Sequence, residues 1–135
     1  MRTPQQVLSG ARTIAVVGAS ADPDKAAHRV PAVLQRRGWR IVPVNPNRDE
    51  VLGEKSYPSL ADVPEDVDVV EVFRPAAEAA EVVRQAVARG VPAVWLQAGI
   101  VSEPARAIAD EAGVDYVENT CMKVVALGGD LHPPS

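Results

Sequence analysis

The segment IAVVGASADPDKAAHRV, residues 14–30, decides the fold class. It begins with a continuous, β-branched apolar run that ends at Gly18, passes through a loop with Pro23 and Lys25, and ends in a helical pattern. A continuous apolar run is typical of a strand that is covered on both faces. Strand, glycine and helix in this order are also typical of a phosphate-binding loop, although dinucleotide sites usually have three glycines there.

Strand-like and helix-like segments alternate along the rest of the chain. Further strands are predicted in WRIVPVNP (39–46), VDVVEVFRP (67–75), VPAVWLQAG (91–99) and VDYVEN (114–119). Helices are predicted between the strands and at 120–129, and the polar stretch 47–67 is predicted as a loop with short irregular elements. This alternation predicts an α/β, Rossmann-like, doubly wound parallel sheet of five strands in the order 3-2-1-4-5, in three α/β/α layers.

Length and composition fit a single domain over residues 1–135. The hydrophobic share of 47% and the charged share of 24% are ordinary for a globular domain, and the net charge of −4 argues against broad nucleic-acid binding. The N-terminal ten residues contain no apolar signal region, and the apolar runs are too short to cross a membrane. With Cys121 as the only cysteine, these features predict a cytoplasmic protein without a disulfide framework.

The predicted topology brings five segments to one edge of the sheet. In parallel sheets this carboxyl edge carries the ligand, near strand 1. The segments are Gly18–Ser20, Asn45–Arg48, Phe73–Pro75, Gln97–Ile100 and Asn119–Cys121. Gly18 lets a ligand approach the backbone, and we expect Ala19 and Ser20 to present amides near a helix start, which favours an anion. The alternative is a plain tight turn.

The residues at the end of strand 2 distinguish between the candidate ligands. An NAD site needs an acidic residue there for the ribose hydroxyls, whereas this chain has Asn45 and then Arg48. A cation favours a ribose with an additional phosphate, which both coenzyme A and NADP carry. The alternative for Arg48 is a solvated loop arginine.

Several motifs together carry a family resemblance. VVGAS, PVNPN, GEKSYPSL, VDVVEVFRP, VWLQAGI and ENTCMK, in this order and spacing, resemble the small bacterial CoA-binding domain proteins, relatives of the CoA-binding part of the succinyl-CoA synthetase α subunit. The resemblance runs from about Thr13 to Val125. It implies a Rossmann-like domain that holds coenzyme A across the strand ends.

The resemblance also implies roles for individual residues. Gly18, Ala19 and Ser20 match the phosphate loop, and Val44 and Pro46 match the segment against the adenosine. Arg48 falls where the synthetases have a lysine that faces the ribose phosphate. The remaining matches are Phe73, Arg74 and Pro75 with a Val-Pro-Ala-Pro segment, Gln97, Gly99 and Ile100 with the stretch near the pantetheine arm, and Asn119 with the asparagine of an Asn-Cys-Pro-Gly motif.

Basic side chains lie beside the phosphate loop, and catalytic groups are scarce. Lys25 and Arg29 are candidate diphosphate contacts, each with a solvent-facing alternative. The sequence has no metal-ligand spacing and no evident catalytic pair, and we expect neither the phosphohistidine domain nor the nucleotide-binding subunit of the synthetases. Cys121 is interpreted as a packing cysteine, with a nucleophile as the alternative.

The sequence leads to three hypotheses about function. The first is a non-catalytic module that binds coenzyme A or a short acyl-CoA, with neither nucleic acid nor membrane as partner. The second is an NADP(H)-binding redox sensor or small oxidoreductase, and the third is an acyl-transfer enzyme that uses Cys121. A protein partner stays open, as does a homodimer through the surfaces of Trp39 and Trp95.

Overall fold

The computed structural model describes all 135 residues. Its strands are β1 (Thr13–Val17), β2 (Arg40–Val44), β3 (Glu50–Val51), β4 (Glu54–Lys55), β5 (Val69–Val72), β6 (Ala93–Leu96) and β7 (Asp115–Val117). Its helices are α1 (Pro4–Gly10), α2 (Ala26–Arg36), α3 (Ala76–Ala88), α4 (Glu103–Ala112) and α5 (Met122–Gly128), with a 3₁₀ turn at Leu60–Asp62. No helix has the length and apolar character that a membrane span requires.

The five long strands form one parallel sheet, which confirms the predicted fold class. Its order is β2-β1-β5-β6-β7, so in the numbering of the long strands alone it is 2-1-3-4-5. The predicted order 3-2-1-4-5 is therefore wrong, because the third long strand lies beside the first and not beside the second. The winding direction reverses between β1 and β5, and this is where a ligand crevice is expected in this order.

Burial and hydrogen bonds explain why β5 is a central strand. All four of its residues are buried, so it needs neighbours on both sides, whereas β2 begins at the exposed Arg40. One carboxylate oxygen of Asp68 accepts hydrogen bonds from the backbone amides of Arg12 and Thr13, at 2.8 and 2.9 Å. Asp68 thereby fixes the start of β5 against the start of β1.

Two apolar clusters cover the two faces of the sheet. One cluster packs α3, α4 and the 3₁₀ turn against residues such as Val70 and Leu96. The other packs α1, α2 and α5 against residues such as Val16 and Trp95. Trp39 and Trp95 are 2% and 0% exposed. Neither tryptophan therefore provides a surface for the homodimer that the sequence analysis left open.

The segment between β2 and β5 contains the short β3–β4 hairpin and the 3₁₀ turn, as the prediction of irregular elements implied. A bridge between Val44 and Tyr57 attaches it to the outer strand. The side chain of Arg89 at the end of α3 donates to the carbonyls of Leu60 and Val63, at 2.6 and 2.7 Å. These contacts attach the 3₁₀ turn to the C-terminal end of α3. A cleft lies between the turn and the face of α3 that includes Ala77 and Glu81.

Candidate functional site

Gly18 is a point of close approach between β1 and β5. Its φ is +91°, and a Cβ atom there would lie 2.9 Å from the carbonyl oxygen of Phe73 and 3.0 Å from Cδ of Arg74. Only glycine adopts this conformation in this space at low cost. The corrected strand order is the reason that Phe73 and Arg74 lie directly beside the predicted phosphate loop.

The amides of the predicted phosphate loop are mostly used inside the protein. Gly18 N donates to Val44 O at 3.0 Å and Ser20 N donates to Ala27 O at 3.2 Å, while Ala19 is only 1% exposed. The expectation that Ala19 and Ser20 present amides to a ligand is therefore wrong for this conformation. The open donors in this region are instead at the start of α2, where Lys25 occupies the N-cap position without a side-chain cap.

Asn45 connects the end of β2 to the end of β1. Its Nδ2 donates to Ala19 O at 2.8 Å, and its Oδ1 accepts from Asn47 N at 2.8 Å. An aspartate at this position would lack the donor that holds Ala19. The side-chain amide of Asn45 therefore has a structural role at the position where an NAD site has an acidic residue.

A cleft of about 580 Å³ opens at the carboxyl ends of β1 and β2. It contains four of the residues predicted from sequence, Gly18, Val44, Pro46 and Arg74. Val44 is 4% exposed and forms part of the floor, whereas Pro46 lies exposed at the rim. The volume is within the range of small-molecule sites, roughly 300–1,000 Å³.

The wall opposite Pro46 comes from residues that sequence reasoning missed. One side is the 3₁₀ region, and the other is a face of α3. The residues are Pro58, Ser59, Leu60, Ala77, Glu78, Glu81, Val82 and Gln85. The i, i+4 spacing of Ala77, Glu81 and Gln85 shows in the sequence that they share a helical face, but not that this face lines a cleft.

Pro75 is the N-cap residue of α3, and Arg74 before it is the cation of the cleft. Its guanidinium pairs with the carboxylate of Glu78 at 2.9 Å, and both side chains are about half exposed. Such an exposed pair contributes little to stability, so Arg74 can exchange Glu78 for a ligand phosphate at small cost. Phe73 is half-buried and packs with the α1–α2–α5 cluster, away from the cleft.

Three other predicted cations lie outside the cleft. Arg48 is exposed at the tip after β2, and its side chain makes no ion pair or hydrogen bond. Lys25 is exposed at the start of α2. Arg29 donates to the carbonyl of Asp24 and lines a second cavity of about 350 Å³ with His28, Arg36 and Lys123. The structure thus separates Lys25 and Arg29 from the residues that line the cleft.

The loops after β6 and β7 form a second, closed end of the site. Gly99 N donates to Oδ1 of Asn119 at 2.8 Å, and Asn119 N donates to Ile100 O at 3.1 Å. Asn119 has a φ of +52°, and Gly99 one of +88°. Gln97 is 6% exposed and accepts a hydrogen bond from Met122 N at 3.4 Å. These predicted residues are brought together, and their mutual bonds fix the two loops.

One buried acid near this end was not singled out from the sequence. Glu71 in β5 is 0% exposed, and neither carboxylate oxygen has a hydrogen-bond partner. Burial, and secondarily the neighbouring Cys121, raises the pKa of Glu71 well above its ordinary value. The sequence signal was a single glutamate within the continuous apolar run VVEVF.

The arrangement defines a class of protein before any comparison. It is a doubly wound α/β domain with a nucleotide-sized cleft at the point where the winding reverses, behind a glycine that allows close approach. A protein-family profile described as a CoA binding domain matches residues 12–126. The chain therefore belongs to the CoA-binding domain family, as the sequence motifs implied.

Known proteins of two sizes are similar to this chain. The uncharacterized protein YneT of Bacillus subtilis is 36% identical over 120 residues, which is 89% of each protein. Acetate–CoA ligase (ADP-forming) II of Archaeoglobus fulgidus is 33% identical over 108 residues, which is 78% of this chain but 15% of the ligase. The chain thus matches the small protein over most of its length and the ligase over one segment.

Solved structures of small proteins show the same fold. A hypothetical protein from Pyrococcus horikoshii OT3 has a TM-score of 0.89 and 37% identity, over 94% of this chain and 92% of that one. The protein ID.343 from Thermus thermophilus has a TM-score of 0.88 and 37% identity, over 94% and 98% of the two chains.

Proposed function

We propose that this protein binds coenzyme A, free or as a short acyl-CoA, in a stand-alone and non-catalytic role. The observation that carries the proposal is the cleft of about 580 Å³ at the winding reversal of a CoA-binding-family domain. Its walls combine apolar surface from Val44 and Leu60 with the guanidinium of Arg74. An apolar slot with few polar groups is what a nucleotide base and its phosphates require.

The adenosine of the ligand is placed in the cleft between Pro46 and α3. Gly18 lets the diphosphate pass close to the backbone, and Arg74 meets it after leaving Glu78. The uncapped first turn of α2 and the side chain of Lys25 receive the diphosphate on the other side. Arg48, free of partners at the loop tip, is assigned to the ribose phosphate.

The pantetheine arm extends in the other direction along the carboxyl edge, over the ends of β5 and β6 towards β7. Gln97, Gly99 and Asn119 form its floor. The hydrogen bonds from Gly99 N to Asn119 and from Met122 N to Gln97 keep this floor rigid in the absence of ligand. A rigid floor reduces the ordering cost of binding. The archaeal ligases that match this segment carry CoA in their names, which supports the same ligand here.

Calorimetry with Arg74→Ala and Arg84→Ala tests the placement. Arg84 is on α3 and Arg74 lies just before it, and both pair with a glutamate of that helix, but only Arg74 lines the cleft. We expect Arg74→Ala to weaken coenzyme A binding roughly 10- to 100-fold, the effect of one charged hydrogen bond. Arg84→Ala is expected to bind like the wild type. Equal weakening in both variants would exclude a direct contact of Arg74.

A second calorimetric comparison tests the ligand itself. Dephospho-coenzyme A lacks the ribose phosphate, so it is expected to bind more weakly than coenzyme A to the wild type and equally to Arg48→Ala. Equal wild-type affinity for both ligands would remove the role of Arg48. NADPH, the alternative from the sequence, is titrated in parallel by fluorescence. Binding of NADPH without binding of coenzyme A would overturn the proposed function.

A further inference from the structure

Glu71 is the one charged residue among the 42 buried residues of the chain. A buried polar group is normally hydrogen-bonded, yet both oxygens of this carboxyl lack a partner. Strand alternation puts its side chain on the same face as Val69, within the cluster that α1, α2 and α5 cover. In the register of the sheet it lies between Val16 of β1 and Trp95 of β6.

Cys121 is the one other titratable group that contributes to the raised pKa of this carboxyl, after burial. It is half-buried at the N-cap of α5 and packs against the same cluster as Trp95. The preceding Thr120 is held at the carboxyl edge of β6, because its amide donates to Leu96 O at 3.3 Å and its carbonyl accepts from Nε1 of Trp95 at 2.8 Å. A thiol with partial solvent access therefore packs against the same apolar cluster that surrounds the unpartnered acid.

We propose that Cys121 and Glu71 form a thiol–carboxyl pair at which the sulfur of coenzyme A becomes disulfide-linked to the protein. The inference depends on the proposed function, because the placement of the pantetheine arm over Gln97 and Asn119 brings its terminal thiol to the neighbouring Cys121. The co-reactant is the oxidised ligand, a coenzyme A disulfide.

The exchange is balanced without any other oxidant. The thiolate of Cys121 attacks one sulfur of the coenzyme A disulfide, and a new S–S bond joins it to that half. The original S–S bond breaks, and its electron pair leaves on the second coenzyme A as a thiolate. That thiolate takes up the proton that Cys121 lost, so one disulfide and one thiol give one disulfide and one thiol.

Glu71 acts as a hydrogen-bond donor in this step. Burial raises the pKa of its carboxyl and so favours the protonated form, which brings a proton and not a competing negative charge to the thiolate of Cys121. It has no hydrogen bond to give up when it turns to the sulfur. Glutamine keeps a donor at this position and leucine does not, so the two variants separate donation from packing.

The test uses reduced full-length protein and intact-mass spectrometry. Wild type and Cys121→Ser are incubated with coenzyme A disulfide or with glutathione disulfide, which has the same reactive bond but no adenosine. We expect one coenzyme A moiety on the wild type and none on Cys121→Ser. Because the site holds the ligand near the thiol, we expect the wild type to react with coenzyme A disulfide at least about tenfold faster than with glutathione disulfide.

The remaining outcomes distinguish failure of the disulfide inference from failure of the proposed coenzyme A binding. No adduct on a wild type that binds reduced coenzyme A in calorimetry overturns the inference and leaves the proposed function intact. Equal rates with the two disulfides also overturn it, while a wild type that does not bind reduced coenzyme A overturns both.

The role of Glu71 has its own test on folded variants. Glu71→Gln is expected to react at nearly the wild-type rate, and Glu71→Leu about tenfold more slowly, the effect of one hydrogen bond. Equal rates in the wild type and Glu71→Leu would remove Glu71 from the pair, and so would a Glu71→Gln variant as slow as Glu71→Leu.

Discussion

The two faces of the sheet carry different kinds of buried side chain. The face under α3 and α4 is filled by small aliphatic side chains such as Val70 and Val94, and its one buried phenol, Tyr116, donates to Ser102 O at 3.2 Å. The face under α1, α2 and α5 contains both tryptophans and the unpartnered Glu71. The face under α3 and α4 contains no fully buried charged residue, whereas the other face contains a buried carboxyl with no hydrogen-bond partner.

The face under α3 and α4 determines the shape of the cleft, whereas the face under α1, α2 and α5 contains the acid and the thiol. The aliphatic face shapes a cleft at its end, where Val44 and Val82 supply apolar wall and the polar groups stay outside the core. The other face places an acid and a thiol behind the ends of β5 and β7. An unsatisfied buried carboxyl costs stability, and such costs are found where function requires them.

The largest expected effect compares neighbours on β6 that point to opposite faces. Trp95→Ala and Leu96→Ala each remove a side chain that is 0% exposed, so we expect losses in the free energy of unfolding of about 3–5 and about 2–5 kcal/mol, measured by urea denaturation. Only Trp95→Ala also removes the donor to Thr120 O. It should therefore increase the reaction of Cys121 with a thiol reagent, and Leu96→Ala should not.

The second effect is the pH dependence that Glu71 gives to stability. Because the pKa of Glu71 is raised on folding, the folded chain keeps a proton that the unfolded chain loses above about pH 4.5. The stability contribution of the group is therefore complete below that pH and falls as pH rises, by about 1.4 kcal/mol per pH unit up to the folded pKa. We expect Glu71→Gln to become progressively more stable than the wild type in urea denaturation as pH rises above about 4.5. Parallel stability curves would show that the carboxyl is not the source of the cost.

The sequence predicted the layers but not the strand order. The alternation of apolar runs and helical patterns is local, and it identified all five long strands. Whether the third long strand pairs with the first or the second depends on contacts distant in sequence, such as that of Asp68 with Thr13. Local periodicity contains no information about such distant contacts. The prediction therefore used the order 3-2-1-4-5 of the dinucleotide-binding fold.

The site was predicted best where backbone shape dictates residue type. Gly18 and Asn119 both have positive φ, and the residues themselves indicate such positions. The cleft-lining face of α3 was missed because the position of a helix relative to a loop is a tertiary property. Arg48 was selected for its charge, and the structure places it outside the cleft, so its role is still a prediction.

The third prediction concerns Gly18, which lies between β1 and β5 where the two faces meet the ligand edge. Gly18→Ala puts a methyl group 2.9 Å from Phe73 O at a φ of +91°. We expect a loss in the free energy of unfolding of about 1–3 kcal/mol by urea denaturation, and weaker coenzyme A binding by calorimetry. Gly53→Ala is the matched control, since Gly53 also has positive φ but no atom within 4 Å of its Cβ position. If both variants bind coenzyme A equally, close approach at Gly18 is not required for the ligand.

The smallest effect separates hydrogen bonding from backbone strain at Asn119, where the closed end of the site is held. Asn119→Gly keeps access to the φ of +52° and loses only the bond from Gly99 N, whereas Asn119→Ala loses both. We expect a loss of about 1 kcal/mol for glycine and about 1–2 kcal/mol more for alanine, measured by urea denaturation. Because the proposed binding mode puts the pantetheine arm on this loop and the nucleotide in the cleft, both variants should weaken binding of coenzyme A but not of adenosine 3′,5′-bisphosphate, its nucleotide end. Equal weakening of the affinity for both ligands would show that the two ends of the site are one cooperative unit, in which the loop at Asn119 also affects binding in the cleft.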